Sequence, residues 1–312
     1  MIWGAVVVAA GRGTRFGRPK QLLELAGKPV VAWSVETLAT MPEIVELVIV
    51  TEPEFIELME HAVAPFARSL KPRIVRGGST RQDSVRLGLA VLSEHCAGIL
   101  VHDGARPLVR AHEIRAGMRA VRPGRAALLA APVVDTIKVV DAQCTVTQTL
   151  ERATLWAAQT PQFAAARDLR RAHADAEREQ RPPATDDAAL LERAGTGVTV
   201  IPASPDNFKV TLPGDLARAE TVLRERGVQP LDEGEVLVVE CYVPAAVVDP
   251  VINELELRGA RLDGIERDLP SAVAIRAYAG REELRGFGLR LHALAGEDAL
   301  FTTHLSHFAA HA

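Results

Sequence analysis

Between Ala9 and Lys20 the chain reads Ala-Ala-Gly-Arg-Gly-Thr-Arg-Phe-Gly-Arg-Pro-Lys, glycines interleaved with cationic side chains. Glycine lets the backbone approach a ligand closely and accept positive φ. Successive exposed N–H groups can then form an anion-binding concavity. Arg15 and Lys20 add charge at two points of the same loop. A triphosphate calls for this combination: backbone donors to cradle it, and cations to hold the charge that grows on departing pyrophosphate. Two familiar phosphate loops do not fit. A Walker loop needs GxxxxGK[ST], but Lys20 follows Pro19 and precedes Gln21. The dinucleotide fingerprint GxGxxG is one residue short of the spacing from Gly11 through Gly13 to Gly17, and two arginines would crowd a bare pyrophosphate turn. On its residues alone, the segment reads either as a triphosphate cradle or as a solvated Gly/Arg turn.

The elements that must carry this loop follow from hydrophobic spacing. Ile2 to Ala10 is a short apolar run ending in Gly11, a buried strand that feeds the loop. Strands are expected at 46–51, 73–76, 98–102 and 126–134, and helices at 29–39, 55–66, 84–92 and 216–226. Residues 136–140 and 145–149 alternate like a hairpin arm. Strands alternating with helices predict an α/β fold with a doubly wound, mainly parallel sheet. A polar, turn-rich stretch at 227–234 then separates residues 1–226 from 235–312. The second part reads strand (235–243), helix (245–258), strands (260–268 and 271–279), helix (281–293), strand (299–308). That βαββαβ order predicts a small α+β ferredoxin-like domain.

Composition narrows the function classes. Of 312 residues, 48% are hydrophobic and only 4% aromatic, enough apolar material for two cores built on Ala and Val. A net charge of −4 gives no reason to expect nucleic-acid or membrane-surface binding. Cys96, Cys144 and Cys241 form no CxxC pair, which fits free thiols in a reducing cytoplasm. The N-terminus lacks a signal-peptide pattern, and no run reaches the roughly 18 apolar residues of a membrane span. A cytoplasmic protein is expected.

Further motifs accompany the loop: Gly77 to Val85 (GGSTRQDSV), His102 to Pro107 (HDGARP), Ala131 to Lys138 (APVVDTIK), Gln159 to Gln162 (QTPQ), Thr185 to Asp187 (TDD) and Asp206 to Thr211 (DNFKVT). In this order, over roughly residues 1–226, they resemble the 2-C-methyl-D-erythritol 4-phosphate cytidylyltransferases of non-mevalonate isoprenoid biosynthesis. The resemblance implies a nucleotide-diphospho-sugar transferase fold, Mg²⁺, and transfer of CMP from CTP to methylerythritol phosphate. It implies catalytic roles for Arg15, Lys20, Arg152 and Lys209. Ala9, Ala10, Gly11, Gly13, Gly78, Ser84 and Ala105 would contact the nucleotide. Asp103, Arg106, Thr136, Arg152, Asp206 and Lys209 would contact the acceptor, with Asp103 also the candidate metal ligand. Thr136 and Arg152 would lie on an arm, around residues 132–155, that reaches a neighbouring subunit, so a homodimer is implied. Ribitol-5-phosphate cytidylyltransferases share most of these motifs, and a non-catalytic CTP-binding regulator is the alternative of another class.

Other residues have plainer readings. His102 is expected to be a packed, hydrogen-bonded histidine, since the reaction needs no base. Asp186 and Asp187 are expected to cap a helix beginning near Ala188. The histidines His292, His304, His307 and His311 are not at one metal-ligand spacing. The tracts 257–266 and 286–296 are similar to the last domain of elongation factor G. No GxxxxGK[ST] element accompanies them, so GTPase activity is not implied. A stabilising or dimer-extending module, of unknown partner, is expected there.

Overall fold

The computed structural model describes residues 1–11, 19–68, 70–212, 214–228, 236–267, 272–281, 283–296 and 299–305. The Trp3–Val8 strand (WGAVVV) is almost wholly buried, as a strand must be when helices cover both faces of its sheet. It lies near the middle of a seven-stranded sheet ordered Gly197–Pro202, Arg125–Pro132, Trp156–Ala165, Gly98–Asp103, Trp3–Val8, Ile44–Thr51, Arg73–Arg76. Only Trp156–Ala165 runs antiparallel, between Arg125–Pro132 and Gly98–Asp103. The mainly parallel α/β expectation is met.

From Trp3–Val8 the chain first builds outward through Ile44–Thr51 and Arg73–Arg76, then returns to place Gly98–Asp103 on the other side. The crevice at the carboxyl ends of Trp3–Val8 and Gly98–Asp103 is therefore a topological switch point, where open α/β sheets take ligands. One apolar layer (Val7, Val35, Leu38, Ile49, Met59, Leu100, Ile114, Leu129, Phe163) and another (Val6, Val48, Val85, Leu89, Ile99, Val101, Leu169, Leu190) fill the two faces.

The strand at 126–134 ends earlier than expected, at Pro132. Lys138–Val140 and Val146–Thr149 pair antiparallel as the expected arm. Every residue of both strands is exposed.

Residues 236–305 hold a second, antiparallel sheet ordered Arg261–Glu266, Val273–Gly280, Val236–Val243, Leu300–Leu305. Helices Val248–Leu257 and Phe287–Ala295 pack on one face through Val239, Cys241, Ile275, Val251, Leu255 and Phe287. The second helix starts later than the spacing at 281–293 suggested. Gly286 precedes it at φ 71, a left-handed position that interrupts a helix and suits glycine. Most of the expected linker, from Gln229 onward, lies outside the described residues.

Candidate active site

The switch-point crevice opens into a cavity of about 310 Å³. Its walls include Ala10, Gly11, Lys20, Gly78, Ser84, Asp103, Ala105 and Lys209, eight of the residues expected from the sequence. Gly13 and Arg15 lie outside the described residues.

One wall is the amino end of helix Arg81–Val91. Thr80 Oγ1 accepts from the Asp83 amide at 3.0 Å, and Asp83 Oδ2 accepts from the Thr80 amide at 3.2 Å. This capping box fixes the first turn and aims its dipole at the cavity. The preceding glycines are there for closeness. A Cβ on Gly77 would sit 2.5 Å from that of Ala10, and one on Gly78 would sit 2.4 Å from that of Asp83. Ser84 accepts from the Gly78 amide at 3.1 Å and donates to the Thr80 carbonyl at 3.0 Å, so its hydroxyl braces the loop.

The opposite wall centres on Asp103, at the end of Gly98–Asp103 and 7% exposed. Its amide donates to Thr160 Oγ1 at 2.9 Å. The Thr160 hydroxyl meets His102 Nδ1 at 3.1 Å. His102 Nε2 lies 3.1 Å from the Arg106 carbonyl, which can only accept, so Nε2 carries the proton and Nδ1 accepts from Thr160. Burial pushes the His102 imidazole down to about 4, leaving it neutral at physiological pH. That is the packed histidine the sequence suggested.

The Asp103 carboxylate accepts from Arg81 Nε at 3.2 Å on one oxygen and from Lys209 Nζ at 2.9 Å on the other. Burial alone would raise its pKa; Arg81, Lys209 and Arg106 outweigh burial and hold it well below the usual carboxylate range. Arg81 also donates through Nη1 to Asp187 at 2.8 Å. Burial opposes the Arg81 charge, but Asp187 and Asp103 outweigh it and strengthen the guanidinium's hold on its proton.

From the sequence, Arg81 has no role and Asp187 is expected to cap a helix, although both stand inside quoted motifs; the structure corrects the second expectation. The two acids at 186 and 187 turn out to differ. Asp186 caps helix Asp187–Arg193 by accepting from the Ala189 amide at 2.8 Å. Asp187 is buried against Arg81. A sequence signal existed only in the company these residues keep; no spacing rule links positions 106 apart.

The remaining motifs act as clamps. Asn207, fully buried, donates to Gln159 Oε1 at 3.0 Å and to the Thr160 carbonyl at 2.8 Å. The Val210 amide donates to the Ala105 carbonyl at 2.8 Å. Lys209 is thus held over Asp103 by bonds on both sides of it. Arg106 is turned into this scaffold, donating to the Asn207 carbonyl at 2.7 Å. Asp206 faces Arg110 at 3.3 Å and Arg226 at 3.5 Å. Ala9 is buried with its amide given to Val50 at 2.7 Å. None of Ala9, Arg106 and Asp206 lines the cavity. Thr136 and Arg152 stand exposed on the arm, where Arg152 donates to the Val134 carbonyl at 2.8 Å, and they too are not in the wall.

Among the described residues no three His, Cys, Asp or Glu side chains converge as metal ligands. Asp103 and Glu52 are the carboxylates of the cavity wall, beside the cations Lys20, Arg81 and Lys209. That donor set suits Mg²⁺, which takes one or two carboxylates and otherwise relies on substrate phosphates and water. Among the described residues, no helix is long and apolar enough to cross a membrane.

The model of the family described as IspD, 2-C-methyl-D-erythritol 4-phosphate cytidylyltransferase, matches residues 3–225. The chain is 44% identical over 227 residues to the 2-C-methyl-D-erythritol 4-phosphate cytidylyltransferase of Prochlorococcus marinus (strain MIT 9313), covering 71% of this chain and 98% of that one. The crystal structure of the Thermus thermophilus 2-C-methyl-D-erythritol 4-phosphate cytidylyltransferase matches with a TM-score of 0.59 and 29% identity, covering 72% of this chain and 100% of that one. The fold alone is shared with the 4-diphosphocytidyl-2C-methyl-D-erythritol synthase of Anaerococcus prevotii, at TM-score 0.64 and 24% identity over 72% of this chain and 96% of that one.

Proposed function

Because the chain belongs to the 2-C-methyl-D-erythritol 4-phosphate cytidylyltransferase family, we propose that it transfers CMP from CTP to 2-C-methyl-D-erythritol 4-phosphate, releasing pyrophosphate. The observation that carries this reading is the cavity itself: Lys20, Lys209 and the glycine-bearing turns of two loops face one ionised aspartate at a sheet switch point.

In the reaction, an oxygen of the acceptor's phosphate forms a bond to the α-phosphorus of CTP in line with the leaving group. The bond from that phosphorus to the α,β-bridging oxygen breaks, and its electron pair leaves on pyrophosphate. The nucleophile is already anionic, so no general base is needed, in keeping with a neutral, buried His102. The barrier is the approach of two polyanions and the charge on the bridging and equatorial oxygens. Lys20 and Lys209 bring counter-charge from two walls of the cavity. Asp103, held by Arg81, fixes the Lys209 ammonium. Gly11 and Gly78 allow the nucleotide to lie close to the backbone. Asp103 would be the residue to hold Mg²⁺ here, and the ion would supply further neutralisation of phosphate charge.

Arg15 adds a cation from the amino-terminal loop. Arg152 and Thr136 reach the acceptor from a second copy of the chain. What supports that role is the arm's exposed apolar side chains, Val134 at 75% and Val146 at 53%, which a homodimer would cover. The protein works in the cytoplasm, in isoprenoid precursor synthesis. Residues 1–226 form the catalytic domain and 235–312 a ferredoxin-like domain similar to the last domain of elongation factor G, joined at 227–234. The strand order within 236–305 supports that reading of the tail.

Pyrophosphate release from CTP with a panel of polyol phosphates tests the proposal. Methylerythritol phosphate is expected to react fastest. Faster turnover of ribitol 5-phosphate would reassign the acceptor, and CTP binding without turnover would make the protein a regulator.

A further inference from the structure

The unit at 236–305 touches the catalytic unit at one sensitive place. Lys20 opens the short turn Lys20–Leu22, closed by the Leu23 amide donating to the Lys20 carbonyl at 3.2 Å. Leu22 is 4% exposed and belongs to the same apolar cluster as Leu300, also 4% exposed, at the start of the Leu300–Leu305 strand. The chain then forms a hairpin in which Glu24–Leu25 pairs with Lys28–Pro29. Its two turn residues, Ala26 at φ 49 and Gly27 at φ 84, are both left-handed. Alanine is strained in that conformation and keeps it only where the surroundings over-determine it. Part of those surroundings is the tail: the buried Thr303 hydroxyl donates to the Gly27 carbonyl at 3.5 Å. Glu24 and Arg281 line one cavity at this seam together with Thr303; burial raises the Glu24 pKa, and the Arg281 charge opposes that rise. On its other side the segment is pinned by Leu23 and Leu25 against Ala219, Val222 and Leu223 of helix Gly214–Glu225.

We propose that the 236–305 unit is a positioning element of the CTP site, acting through the Leu22–Pro29 segment on Lys20. Among the described residues, none from 236–305 lines the cavity. The unit fixes one side of the segment that directly follows Lys20, a lysine of the cavity wall. A displacement of about 1 Å in such a group is enough to cost on the order of 10²-fold in rate. The family match ends at residue 225, so this support is an addition to the catalytic unit that the family model describes.

The inference rests on the proposed use of CTP, and the test separates the two. Full-length Arg281→Glu, Glu24→Arg and the double reversal are compared with the wild type by steady-state kinetics, by calorimetric CTP binding and by thermal unfolding. Arg281→Glu is expected to raise KM and Kd for CTP by roughly three- to tenfold, with KM for the acceptor unchanged, and the double variant to recover most of that loss. Leu300→Asp, which opens the seam directly, is expected to act in the same direction on CTP alone. Unchanged CTP constants in both Arg281→Glu and Leu300→Asp would overturn the proposal. So would CTP and acceptor constants that move together with a lowered Tm and no recovery in the double variant. If the wild type binds CTP but turns over no polyol phosphate, the functional reading fails while the CTP affinities still decide this one.

Discussion

Asp103 and Glu254 each accept hydrogen bonds from two cationic side chains, and they differ in nearly everything else. Asp103 receives Arg81 and Lys209 at 3.2 and 2.9 Å; Glu254 receives Arg258 and Arg290 at 2.7 and 3.1 Å. The Glu254 partners come from its own helix and a neighbouring one on the surface, and the Arg290 side chain is 53% exposed. The hydrogen bond from Arg258 is the largest influence on Glu254 and lowers its pKa; burial opposes it, and the hydrogen bond from Arg290 adds to the lowering. At Asp103 burial is the largest influence and works against ionisation, so the charge there exists only because its partners are in place. Surface pairs gain little from an attraction that water already screens. A buried carboxylate stripped of its partner keeps its desolvation cost with nothing to offset it. Near-identical distances therefore carry very different consequences.

The largest expected effect sharpens that contrast. Arg81→Met would leave Asp103 and Asp187 short of a counter-ion, and a loss of about 3–5 kcal/mol of stability is expected by denaturant unfolding. Arg81→Lys, able to satisfy only one of the two acids well, should fall between. Next comes Lys209→Ala, expected to lower kcat/KM for CTP turnover by on the order of 10²-fold, with a far smaller effect on Tm than Arg81→Met.

His102 gives a pH-dependent test. Its folded-state value, about 4, lies below its ordinary value of 6.5, so the unfolded chain binds the extra proton first. Its stabilising contribution is fully present above about 6.5 and is lost as pH falls toward about 4, a change of about 2 kcal/mol between pH 7 and 5. His102→Gln should flatten that slope in unfolding measured across this range. The smallest effect is reserved for the surface cluster: Arg290→Ala should change stability by less than about 1 kcal/mol and leave CTP turnover untouched. A loss there comparable to Arg81→Met would break the comparison.

Legibility from the sequence followed the range of the interaction. The pair Glu254 and Arg258 is one helical turn apart and can be read from spacing. Arg81 and Asp187 are 106 residues apart, as are Asp103 and Lys209, and no local rule joins them. The strand Trp3–Val8 and the paired arm strands were visible because wholly apolar or period-two runs survive in any tertiary setting. The helix Ala111–Ala120 and the antiparallel strand Trp156–Ala165 were not singled out. The first buries Glu113, Ile114, Gly117 and Met118 at helical spacing, but only two of these are large apolar side chains; the second begins exposed and ends buried, so it shows no single period along its length.

By itself the sequence determined that a glycine-rich, cationic loop follows a buried strand, that the sheet is mainly parallel, and that a second βαββαβ unit follows. These are consequences of local propensity and periodicity. The tertiary structure alone decided that the two adjacent acids at 186 and 187 divide into a cap and a buried counter-ion, because burial depends on what packs above them. It also decided that Arg106 faces the scaffold while Lys209 faces the cavity, and that the tail abuts the Leu22–Pro29 segment. Those outcomes depend on which side of a folded element a side chain leaves from, and on what the rest of the chain has placed there.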